Sequence, residues 1–81
     1  MVGEIKMHDV VALLHDVQTK HFEGGGPLLL RRGQIGTVVM TYDDGACEVE
    51  FADRDGRAFA ILSLRSDQLM VLHDTPDFAA A

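Results

Sequence analysis

The sequence predicts an all-β fold, a small five-stranded barrel with a long first loop and a 3₁₀ turn before the last strand. Three observations predict it. Short runs rich in β-branched and aromatic residues recur along the chain, each bounded by Gly, Asp or Pro. Two of those boundaries, Asp43-Asp44-Gly45 and Asp53-Arg54-Asp55-Gly56, have the composition of tight hairpin turns. Between them Cys47, Val49 and Phe51 alternate with Glu48 and Glu50, the period of a strand with one greasy and one wet face.

The first strand is read at Asp9 to Leu14, where Val10-Val11-Ala12-Leu13-Leu14 makes an apolar run of strand length closed by His15-Asp16. Val17 to Gly33 has no sustained period and carries Gly24-Gly25-Gly26-Pro27, so it is expected to be a long loop. Its Leu28, Leu29 and Leu30 are unusually apolar for such a segment and must fold back on the barrel or meet a partner. Ile35 to Tyr42 is the second strand and the alternating Cys47 to Phe51 segment the third. Ala58 to Leu64 is the fourth, apolar on both faces: Ala58, Ala60, Leu62 and Leu64 on one, Phe59 and Ile61 on the other. The polar Arg65-Ser66-Asp67-Gln68 suits a 3₁₀ turn, and Leu69 to Leu72 supplies the fifth strand. One domain spans 1–81, with its core in 8–72 and a loose tail over 73–81.

This order of strands, with its single helical turn before the last, matches the connectivity of an SH3-like barrel. An OB-like barrel fits less well, because that fold carries a helix where only Asp53 to Gly56 stands here.

A chain of 81 residues that is 47% hydrophobic and 25% charged has the make-up of a folded globular domain. It has no apolar run long enough for a bilayer and no basic-then-apolar start. The lone Cys47 cannot form an internal disulfide, which suits a reducing cytoplasm. The net charge of −6, with lysine only at positions 6 and 20, disfavours phosphate backbones and favours a basic partner.

Arg31-Arg32-Gly33-Gln34-Ile35-Gly36-Thr37-Val38-Val39 resembles the glycine-rich strand of KOW-type SH3-like modules of ribosomal and transcription proteins. A broader resemblance runs from Asp9 to Leu72. It is carried by Asp9 to Leu14, Arg32 to Val39, Glu48-Val49-Glu50-Phe51, Asp55-Gly56-Arg57 and Leu64 to Leu69. On these segments the chain is identified as a member of a bacterial family of small SH3-like proteins catalogued as domain of unknown function forty-nine twenty-six. The resemblance implies a fold and no catalytic residue, and the segment from Lys20 to Leu30 is longer than the family pattern. A fainter likeness, of fold only, is to the SH3-like domain of the nitrile hydratase β subunit.

No constellation in the sequence points to catalysis, a metal or a cofactor. His8-Asp9, His15-Asp16 and His73-Asp74, with His21 nearby, have ligand chemistry, but neighbours in a strand point to opposite faces and cannot chelate as a unit. Cys47 lies in an apolar face where a thiol is inert. Gly24-Gly25-Gly26 lacks the Lys-Ser/Thr of a phosphate loop, and Ser63 and Ser66 lack patterned His and Asp partners.

The sequence therefore points to a non-catalytic protein-interaction module, such as the inhibitory or immunity half of a bacterial two-gene pair, or to self-association. Its expected contact residues are the acidic Asp43, Asp44, Glu48 and Glu50 and the apolar Leu28, Leu29, Leu30, Phe59 and Ile61. The tail, through Phe78, or the leucines are the intramolecular alternatives for covering Phe59 and Ile61. The rival function is a KOW-like RNA-binding module using Arg31 and Arg32. Such modules stack bases on exposed aromatics, of which Phe22 and Tyr42 are a thin supply.

Overall fold

Where apolar and polar side chains alternate and a tight turn lets the chain return, adjacent runs pair antiparallel and bury one face. A computed structural model describes residues 4–79 and shows this in seven strands. They are β1 (Val10–Leu13), β2 (Val17–Lys20), β3 (Pro27–Leu30), β4 (Ile35–Thr41), β5 (Ala46–Ala52), β6 (Ala58–Arg65) and β7 (Leu69–Val71). A 3₁₀ turn, Ser66–Gln68, joins the last two. Five strands make one antiparallel sheet in the order β6-β5-β4-β1-β7, and β2 and β3 form a separate hairpin.

The inner face of the large sheet carries Val11, Leu13, Val38, Cys47, Val49, Phe51, Ala60, Leu64 and Leu69, all buried. Leu30 of the hairpin completes this cluster, and Ile5, Val17, Leu28, Phe59, Leu62 and Val71 pack around it half-buried. Among the described residues no polar or charged side chain is buried, so the core is held by apolar contact alone.

Gly36 of the glycine-rich Arg31–Val39 segment has a packing role. A Cβ built on it would lie 2.6 Å from Val49 Cγ1 and 2.8 Å from Phe51 Cε1, so β5 packs onto β4 through the space a side chain would fill. Gly33 has a different task. Its φ of 89° lets the chain reverse between β3 and β4 while its N–H donates to the Leu13 carbonyl at 2.7 Å.

Three sequence expectations need correction. The segment Val17 to Gly33 is not an irregular loop, since Val17 pairs with Leu30, Gln18 with Leu29, Thr19 with Leu28 and Lys20 with Pro27. The His21 N–H donates to the Gly26 carbonyl at 2.7 Å to close the hairpin, whose inward side chains Val17, Leu28 and Leu30 seal the core. The sheet is also not a closed five-stranded barrel: β6 and β7 remain its edges, and the hairpin covers the inner face as a second layer.

Thirdly, Phe59 is not stranded on the outer face. Phe51 pairs with Ala60 and Ala52 with Ala58, so Phe59 is the extra residue of a β-bulge, which turns it onto the edge of the core. The hairpin tip meets it there, with the Phe22 N–H donating to the Phe59 carbonyl at 3.1 Å. The described part of the tail takes no part in this cover. His73 to Ala79 is exposed without strand or helix, and Phe78 is fully solvated. Ala80 and Ala81 of the expected loose tail lie outside the described residues.

Candidate functional site

The outer face of β4, β5 and β6 gathers the residues with recognition chemistry. Because Cys47, Val49 and Phe51 point inward, alternation sends Glu48 and Glu50 outward. Register then sets their neighbours: Glu48 lies between Met40 and Ser63, and Glu50 between Thr37 and Ile61. A bulge at Val39 on β4 aims Met40 out beside Glu48. Both carboxylates are half-buried, while Met40 is 45% and Ile61 44% exposed.

Among the described residues neither carboxylate has a cation within ion-pair distance; the two ion pairs formed there are Arg31 with Asp16 and Arg65 with Asp67. Two partly desolvated anions thus stand side by side with apolar flanks, an arrangement that favours an incoming guanidinium or ammonium group.

The other expected acidic residues are placed differently. Asp44 builds the β4–β5 turn, its Oδ1 accepting the Ala46 N–H at 3.1 Å. Asp43, beside it, lines a wide open cleft with Glu4, Lys6, Tyr42, Asp67 and His73. Asp53, read from the sequence as a turn residue, is one: its Oδ1 accepts the N–H groups of Asp55 at 2.9 Å and Arg57 at 3.0 Å and shapes the β5–β6 turn. Of the predicted four-residue patch, Glu48 and Glu50 form a pair on the sheet face, and Asp43 and Asp44 project from the hairpin end.

The apolar candidates also divide. Leu30 is a core residue, Leu28 and Phe59 are half-buried against the core, and only Leu29 and Ile61 face outward. Arg31 and Arg32 are exposed, but both are tied to Asp16. Arg31 Nε lies 3.5 Å from Asp16 Oδ1, and the Arg32 backbone N–H donates to the same atom at 2.7 Å. That backbone hydrogen bond, with help from the Arg31 charge, holds the Asp16 carboxyl below its ordinary value.

No group of three His, Cys, Asp or Glu side chains is gathered for a metal among the described residues. Two of the histidines serve local structure: His21 Nδ1 accepts the Glu23 N–H at 3.2 Å, and His15 Nε2 sits 3.2 Å from Gln68 Nε2. The Cys47 thiol is pushed up by burial and, secondarily, by the Glu48 charge, which keeps it protonated. No helix among the described residues is long and apolar enough to cross a membrane.

Sequence reasoning missed a further part of this face. Ala12 is flanked across the sheet by Ile35 and Met70, and these two are 58% and 51% exposed. The alternation of Val11 and Leu13 inward against Val10 and Ala12 outward carries the signal, but the continuous apolar run hides it.

Comparison with curated proteins and with solved structures gives no match. One family model does match, over residues 7–71, a span that begins just before β1 and ends with β7. With every strand of the fold inside that match, the chain belongs to the family described as Domain of unknown function (DUF4926).

Proposed function

We propose that the protein is a non-catalytic interaction module that binds a basic partner protein across the outer face of β4, β5 and β6. The observation that carries this is the pair Glu48 and Glu50, half-buried, without an ion-pair partner among the described residues and flanked by exposed Met40 and Ile61. A partner supplying Arg or Lys here gains charge-assisted hydrogen bonds, and the apolar flanks exclude water from them. The net charge of −6 adds steering, raising the encounter rate with a basic surface. An inhibitory or immunity role beside a neighbouring gene, in a reducing cytoplasm, is one that such a module would serve. The SH3-like reading of the fold supports it: a β2–β3 hairpin fills the first connection, and a 3₁₀ turn precedes a last strand that returns to β1.

The test is capture from the native host at low and high salt, with the wild type and with the Glu48→Gln/Glu50→Gln variant. A basic protein held by the wild type at low salt, and released by salt or by the double substitution, is the expected result. Recovery of the same species by both proteins, or of nothing but the bait, overturns the proposal. An RNA gel shift abolished by Arg31→Ala/Arg32→Ala would put the RNA-binding reading in its place.

A further inference from the structure

β6 is the longest strand, eight residues, and it is an edge. In an antiparallel ladder alternate residues turn their backbone groups to one neighbour and then the other. The Ser66 N–H donates to the Gly45 carbonyl and the Tyr42 N–H to the Ala46 carbonyl, which fixes the alternation on both sides of β5. Ala60, Leu62 and Leu64 therefore bond to β5, and Ile61, Ser63 and Arg65 turn their backbone groups away from it, up to the bulge at Phe59.

The two ends of this outward row are occupied. The Phe59 carbonyl accepts the Phe22 N–H at 3.1 Å, and the Arg65 N–H donates to Gln68 Oε1 at 2.8 Å. Between them Ile61 and Ser63 each present one N–H and one C=O with no partner among the described residues. From Ala58 to Leu64 the strand holds no charge and no proline, the usual guards of an exposed edge.

We infer that this window pairs with the same window of a second copy of the chain, β6 antiparallel to β6 about a two-fold axis through Leu62. The window is symmetric about Leu62, so a two-fold satisfies the N–H and C=O of both Ile61 and Ser63 in each copy, with Ile61 opposite the second copy's Ser63. The occupied ends limit any partner to the short window between them, and a second β6 presents a free window of the same length. Leu62, half-buried on the inner side of the edge, meets the second copy's Leu62 and extends the core across the seam. Charge permits the contact. The Glu48 and Glu50 rows of the two copies stand about three strand spacings, ~14 Å, apart, beyond the screening length of about 8 Å at physiological salt. The seam is short, so the dimer is weak and concentration-dependent. It shares Ile61 with the acidic-face proposal but rests on the backbone groups of the edge, so amide exchange in the wild type tests it apart from that proposal.

Sedimentation of the full chain over a concentration series tests it, with Ile61→Lys/Ser63→Lys and Ile61→Glu/Ser63→Glu as variants at exposed positions. The wild type is expected to dimerise, and the glutamate variant, facing like charges across the seam, to dimerise at least about tenfold more weakly; the lysine variant, whose new charges also lie opposite Glu50 and Glu48 of its own β5, is weakened less. An equimolar mixture of the two variants regains the dimer, because each lysine then faces a glutamate. Amide exchange at Ile61 and Ser63 in the wild type slows as concentration rises, a readout that needs no variant. A wild type monomeric throughout, variants that dimerise as well as it does, a mixture that stays monomeric, or exchange independent of concentration each overturn the inference.

Discussion

The β4–β5–β6 meander and the β2–β3 hairpin reach the same core by different routes. In the meander alternation commits residues to one face except at the bulges of Val39 and Phe59, and the turns at Gly45 and Gly56 set the pairing, so three strands build most of the core. The hairpin carries four residues per strand and gives the core one fully buried side chain, Leu30. Yet the meander cannot close over itself, and the hairpin supplies the missing layer. A minor element in residue count is here a major one in position.

The widest effect expected from that contrast is at neighbouring leucines of the hairpin. Leu30→Ala removes a core side chain and is expected to cost about 2–5 kcal/mol, whereas Leu29→Ala, half-exposed on the other face, should stay within about 0.5 kcal/mol. Urea unfolding of both variants measures the difference, and equal losses would mean that the hairpin is not seated on the core. The meander is probed next with Gly36→Ala, whose new methyl meets Val49, Phe51 and, at 3.0 Å, the Glu50 carbonyl. Overpacking of that kind costs about 1–3 kcal/mol. A neutral result in the same urea assay would show that β4 and β5 have slack between them.

The smallest effect is at the strap joining the two regions, where Asp16 holds Arg31 and Arg32. Its folded-state pKa lies below the ordinary 3.8, so the unfolded chain takes up its proton first. The stabilisation is therefore present above that ordinary value and lost as pH falls through the folded one. Asp16→Asn should flatten the acid limb of stability below about pH 4, read as unfolding midpoint against pH; an unchanged acid limb would show that the strap adds nothing.

Much of the meander was legible because its physics is local. Asp-Gly turns and the alternation from Cys47 to Phe51 need no distant partner to be interpreted. The hairpin hid because only Val17 and Thr19 alternate in β2, β3 reads as an unbroken leucine run, and the six residues between them look like flexible glycine-rich chain. Its one cue was that Leu28 and Leu30, two apart, fall on one side of any strand. Phe59 was misplaced for a separate reason: strict alternation puts it outward, and the bulge that reverses it depends on the pairing with Phe51 and Ala52. In the candidate site, parity gave the direction of Glu48 and Glu50. What Asp44 and Asp53 do instead, bonding backbone N–H groups in the turns, depends on geometry that an acidic residue beside a glycine only suggests.

The position of Cys47 gives the molecule a clock of its own. The sulfur sits beneath the sheet at 2% exposure, so an alkylating reagent in solution has to wait until β5 comes away from its neighbours. The labelling rate of this single thiol would therefore time how often the meander opens, and any ligand that clamps those strands would slow it.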